Sequence, residues 1–174
     1  MATAMNENEA GMAAELTGAA LAAGSIAPPF ALKTDPNASI SLADLRGAPA
    51  LVMFYPGDWT PVCNDQLIEV SRRLPEIAAR GAKAVAISVD SEWSHAAFAE
   101  ARGLAIPLLA DFHPKGAVSK AWGVWSEEWG HSERALFLLD ADGIVRWRTV
   151  VPPWVNPGLD EAFAALDALA AAAR

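Results

Sequence analysis

The sequence predicts an α/β fold with a central mixed sheet and helices on both faces. Three observations predict it. Strand-like apolar runs alternate with helical patterns along most of the chain. The two longest apolar runs show no polar alternation, as expected of strands covered on both faces. Two further runs flank a turn signal, and an Ala-rich helical stretch follows them.

In order, Phe30 to Lys33 and Ser39 to Leu42 read as short strands around an Asp35-Pro36-Asn37 turn. Ala50 to Tyr55 is the first continuous apolar run, and Pro56-Gly57 ends it. A helix is predicted from Pro61 to about Ala79, closed by Gly81. Ala84 to Val89 is the second buried strand. Ser91, with Glu92 and Ser94, opens a helix that stops at Gly103. Pro107 to Ala110 is a short strand and Lys115 to Trp122 a short helix. Ala135 to Leu139 and Ile144 to Val150 flank Asp140-Ala141-Asp142-Gly143, a hairpin signal. Residues 157–173 form the final helix. The thioredoxin fold has this order of elements and is the expected fold, while the pattern alone also admits other α/β folds.

With 174 residues, 53% apolar and 20% charged, the chain suits one soluble domain. At this length folding buries roughly 70% of the unfolded surface, so no disulfide or metal is needed for a core. A net charge of −8 argues against nucleic acid or an anionic membrane as partner, because both need a basic face. Residues 1–24 carry Glu7, Glu9 and Glu15 and no Lys or Arg. They lack a clear core-facing period and are expected to be a mobile, in part helical extension; residues 25–174 form the domain. The extension has no basic n-region and is a poor signal peptide. No run is long and apolar enough to span a bilayer. The single cysteine excludes an internal disulfide and points to a reducing, cytoplasmic setting.

That cysteine, Cys63, sits where a strand passes into a helix. Thr60 is a good N-cap, and Pro61 falls at the first helical position, where its missing N–H costs nothing. Cys63 therefore lies in the first turn. Free backbone N–H groups and the positive end of the helix dipole favour an anion there. The end of a strand in an α/β sheet is also the usual place for a site. A lone cysteine is otherwise a small buried hydrophobe, so its neighbours must decide its role.

Pro56-x-x-x-Thr60-x-x-Cys63 resembles the active-site signature of the peroxiredoxins. The likeness extends to Ser41–Gly47, to Pro107–Gly116, to Ala121-Trp122-Gly123-Val124 and to Arg134–Asp140, covering residues 26–151. It implies a peroxidase that reduces hydrogen peroxide and organic hydroperoxides. The Cys63 thiolate would attack the terminal peroxide oxygen and become a sulfenic acid. Thr60 would hydrogen-bond thiolate and peroxide, and Arg134 would hold both with its forked donors. Pro56 would shield the sulfur, while the Val62 and Cys63 N–H groups would hold the distal oxygen. Ionising an ordinary thiol completely at pH 7 gains at most roughly 30-fold. Peroxidase rates therefore require these donors to stabilise the breaking O–O bond.

Two departures stand out. Gln66 occupies the place where the family often has Glu; a neutral amide can still orient Arg134. No resolving cysteine exists, so the chain resembles the one-cysteine branch. Its sulfenate must then be reduced by an external thiol: a low-molecular-weight thiol, a glutaredoxin or a thioredoxin. The alternative is a peroxide sensor that relays oxidation from Cys63 to a partner protein. Relatives are commonly dimers or larger rings, so a homodimer or larger homo-oligomer is expected. Core packing is expected for most of the seven Trp residues, with one or two at an interface. Trp59 is placed to contact substrate or a partner subunit. His95, His113 and His131 lack metal-ligand spacing and are expected to face solvent or bond locally; no metal or cofactor is expected.

Overall fold

The computed structural model describes residues 2–172. In chain order the elements are α1 (Glu7–Ala19), β1 (Ala31–Asp35), β2 (Ala38–Ser41), α2 (Leu42–Leu45), β3 (Ala50–Phe54), α3 (Pro61–Ala79), β4 (Lys83–Ser88) and α4 (Glu92–Arg102). There follow β5 (Leu108–Ala110), α5 (Ala117–Ala121), β6 (Trp125–Ser126), β7 (His131–Ser132), β8 (Arg134–Leu139), β9 (Val145–Val151) and α6 (Asp160–Ala172). The predicted end of the last helix, at residue 173, lies outside the described residues.

Seven strands form one mixed sheet in the order β2-β1-β5-β4-β3-β8-β9. β3 runs parallel to β4 and antiparallel to β8, so the strand leading to Cys63 lies beside the strand that begins with Arg134. Every residue of β3 and β8 is buried, which is why neither run alternates. Alternate β3 side chains feed two cores. Val52 and Phe54 join Phe30, Trp122 and Phe137 on one face. Leu51 and Met53 join Leu67, Phe98 and Phe163, from α3, α4 and α6, on the other.

The helix ends follow their local chemistry. Ser91 Oγ accepts the Ser94 N–H, and Gly103 closes α4 in the left-handed conformation that glycine adopts without strain. Ser41 and Asp44 exchange the two bonds of a capping box around α2. Those hydrogen bonds hold the Asp44 carboxyl below the usual carboxylate range.

The first 24 residues contain a 13-residue helix with its own capping box between Asn6 and Glu9. Ala13 meets Val151 and Val155 in a small apolar cluster. Thr17 Oγ1 donates to the Val150 carbonyl (3.2 Å) and accepts the Val150 N–H (3.1 Å), so α1 lies along β9, an outermost strand of the sheet. Covering an edge strand this way is a common answer to the hydrogen-bonding groups on its open side.

The expected burial of most tryptophans is not what the structure contains. Only Trp122 is in the core, with Phe30, Phe54 and Phe137 ring centroids 6.2, 5.3 and 5.0 Å away. Trp59, Trp93, Trp129 and Trp154 are exposed. An indole has an N–H and a π face that polar and cationic neighbours can use, and Trp125 and Trp59 lie under Lys120 and Arg102. Trp122→Ala is expected to cost about 3–5 kcal/mol of stability in denaturant unfolding, since it empties the centre of one core.

Candidate active site

The site is built where β3 ends. Tyr55 and Pro56 are buried, the chain turns through Gly57, Asp58 and Trp59, and α3 begins at Pro61. Trp59 has φ 65°, a left-handed backbone that is uncommon for a residue with a side chain. The predicted geometry of the helix start holds: Pro61 is the first helical residue and Cys63 the third.

Cys63 is fully buried. Arg134, 1% exposed at the start of β8, points its Nη2 at the sulfur from 3.3 Å. The guanidinium is gripped from two other sides. Nη1 donates to Gln66 Oε1, one helical turn after Cys63. Nη2 and Nε donate to the Pro153 carbonyl at 2.6 and 3.3 Å. A planar fork held by two oxygens presents one fixed edge to the sulfur. Gln66 thus meets the guanidinium through its carbonyl oxygen, with no charge of its own.

Thr60 departs from expectation. Its backbone has N-cap dihedrals (φ −79°, ψ 145°), but its side chain makes no capping bond. The hydroxyl donates instead to the Gly57 carbonyl at 3.2 Å, tightening the turn. The amides of the first turn are therefore left without a side-chain cap, and such uncapped amides are free to receive an anion.

A hollow of about 260 Å³ opens beside the helix start, lined by Pro56, Thr60, Pro61, Val62, His131, Pro153 and Trp154. Pro56 and Val62 stand where the sequence places them. Trp59 does not line this hollow; its ring lies on Phe98, 5.1 Å between centroids, with Arg102 above it. His131 sits at the mouth, stacked on Trp129 and bonded through Nδ1 to the Ser132 carbonyl.

Sequence reasoning missed the support beneath the loop. The Asp58 side chain is buried and accepts from Tyr55 OH (2.8 Å), Ser94 Oγ (2.8 Å) and His95 Nδ1 (3.0 Å). The Asp58 N–H donates to Asp90 Oδ2, which also accepts from Ser88 Oγ. Burial and the Asp58 charge push the Tyr55 hydroxyl well above its ordinary value, so it stays a donor. Ser132 Oγ ties β7 to the same loop through the Tyr55 carbonyl. His95 thus departs from expectation: it neither faces solvent nor bonds locally but is buried, with partners 37 and 40 positions away. Pro153 carried no sequence signal, because it acts through a backbone carbonyl.

Glu133, next to Arg134, has its carboxyl raised by burial, with the neighbouring Glu128 adding a smaller upward push. The folded state then binds this proton more tightly than the unfolded chain, and its contribution to stability falls as pH rises above the ordinary carboxyl range. Glu133→Gln is expected to lessen that fall in thermal melts taken from acid to neutral pH.

Among the described residues no three His, Cys, Asp or Glu side chains cluster as metal ligands. No helix of the described residues is long and apolar enough to cross a membrane.

A cysteine at the start of a helix, faced by a buried arginine on a thioredoxin-like sheet, is an arrangement suited to thiol-dependent chemistry on peroxides. The model of the AhpC/TSA family matches residues 23–148, and the chain belongs to that family. It is similar to alkyl hydroperoxide reductase E of Mycobacterium tuberculosis, 37% identical over 131 residues, 75% of this chain and 86% of that protein. It is also similar to peroxiredoxin tpx1 of Schizosaccharomyces pombe, 39% identical over 136 residues, 74% of this chain and 70% of that one. Among solved structures, Mycobacterium tuberculosis AhpC superposes with a TM-score of 0.76 at 26% identity, over 86% of this chain and 93% of that one. Enterococcus faecalis AhpC, at 23% identity, shares the fold with a TM-score of 0.79, over 87% of this chain and 93% of that one. The chain is a thiol-dependent peroxidase, an oxidoreductase acting on peroxide.

Proposed function

We propose that Cys63 is the peroxidatic residue and that Arg134, Thr60, Pro56 and the Val62 amide form its site, with Gln66 orienting the arginine. The observation that carries this is the Arg134 Nη2 held 3.3 Å from Sγ in the first turn of α3. The thiolate attacks the terminal oxygen of the hydroperoxide, an S–O bond forms and the O–O bond breaks. The leaving alkoxide or hydroxide takes a proton to give alcohol or water. Arg134 and the first-turn amides balance the negative charge that moves from sulfur to oxygen.

One external thiol then displaces hydroxide from the sulfenic acid as water, giving a mixed disulfide. A second thiol releases Cys63 and leaves with the first as a disulfide. The reductant is proposed to be a low-molecular-weight thiol, a glutaredoxin or a thioredoxin. The lone cysteine supports a cytoplasmic location, and exposed tryptophans support a homodimer or larger homo-oligomer, which sedimentation would measure.

Stoichiometric hydrogen peroxide added to reduced protein, followed by a sulfenic-acid trap and mass measurement, should give fast single-site labelling at Cys63. Labelling no faster than that of an exposed model thiol would sink the proposal. Turnover measured reductant by reductant then separates an enzyme from a relay: oxidation without turnover, but with transfer to a partner protein, would favour the relay.

A further inference from the structure

The carbonyl that grips Arg134 belongs to a short loop between β9 and α6, and the N-terminal segment holds that loop from outside. The Thr3 N–H donates to the Asn156 carbonyl at 2.7 Å, and the Asn156 N–H donates to Thr3 Oγ1 at 3.1 Å. Glu9 bridges two elements: Oε2 accepts the Asn6 N–H at the start of α1, and Oε1 accepts the Trp154 indole N–H at 2.9 Å. Trp154 directly follows Pro153. Both the clamp and the loop lie outside residues 23–148, the span that the family model matches.

We propose that Glu9 and Thr3 are positioning residues for Arg134, acting through the Pro153 carbonyl. The chain of contacts is short. Glu9 and Thr3 fix Trp154 and Asn156, these fix the Pro153 carbonyl that immediately precedes them, and that carbonyl takes two of the three guanidinium nitrogens. α1 can bear on the loop because its far end is itself fastened to β9, where the Thr17 carbonyl accepts from Arg148 and Thr17 Oγ1 bonds Val150. A displaced carbonyl leaves the fork held by Gln66 alone, free to swing its edge away from the sulfur. Misplacing a catalytic group by about 1 Å can cost on the order of 100-fold in rate, so partial loosening should be visible.

This inference rests on the role proposed for Arg134, and a double-mutant cycle tests the two separately. The measured quantity is the second-order rate of Cys63 oxidation by hydrogen peroxide in the full chain. Glu9→Ala is expected to slow it about 5-fold, Thr3→Val by a similar factor, and Glu9→Gln, whose Oε1 still accepts, to restore most of it. In an Arg134→Met background Glu9→Ala should change the residual rate less than about 2-fold. Thr3→Val is nearly isosteric on an exposed residue and carries the test if Glu9→Ala folds poorly. An unchanged rate in both Glu9→Ala and Thr3→Val would overturn the inference while leaving Arg134's role intact. An equal loss in both backgrounds would overturn it as a merely structural effect. A wild-type rate for Arg134→Met alone would overturn both.

Discussion

Replacing Arg134 with Met is expected to slow peroxide oxidation of Cys63 by about 100- to 1000-fold, the range for losing a preorganised donor to a developing oxyanion. Methionine fills much of the same volume but leaves the Gln66 and Pro153 oxygens without the guanidinium and the sulfur without a facing N–H. Lysine would not rescue it. One ammonium on a flexible stem cannot reproduce a planar group that meets two oxygens and the sulfur from fixed directions. Stopped-flow oxidation of reduced Arg134→Met and Arg134→Lys proteins checks this. A loss smaller than about 10-fold in both would mean that the first-turn amides of α3 supply most of the stabilisation.

Cys63→Ser is expected to abolish thiol-dependent peroxide consumption and sulfenic-acid labelling altogether, because the chain holds no other thiol. The protein should still fold. Serine is slightly smaller than cysteine, and its hydroxyl would sit where Arg134 already offers a donor at 3.3 Å. Consumption assays, with circular dichroism as the control for folding, separate lost chemistry from lost structure. Residual turnover would require chemistry outside the thiol.

Much of this site was legible in the sequence because its parts obey local rules. The apolar run of β3, the N-terminal proline of α3 and the position of Cys63 in the first turn follow from strand burial and helix-start preferences. Arg134 was legible only through the order of family motifs, since 71 positions separate it from Cys63. The Asp58–His95 pair was not legible: its members are 37 positions apart and each alone looks like an ordinary polar residue. Thr60 was read as a cap because its residue type and backbone position suit one. Its hydroxyl had an alternative partner within the turn, the Gly57 carbonyl to which it donates, and composition cannot choose between the two. The seating of α1 was hidden because it uses alanines and a threonine rather than a strong apolar stripe. The tryptophans were misjudged for a related reason, as size suggested burial while the Trp154 N–H and the Trp59 and Trp125 ring faces found polar or cationic partners outside the core.

The lie of α1 along β9 also bears on how copies of this chain can join. A sheet can grow from one molecule into the next only by offering vacant N–H and C=O groups along a terminal strand. At Val150 both groups are taken by the Thr17 hydroxyl. A continuous intermolecular sheet through β9 would have to strip that helix away first. Any oligomer that keeps α1 in place must therefore meet through side chains or through the β2 side of the sheet, and the protein carries its own stopper against end-to-end polymerisation at β9.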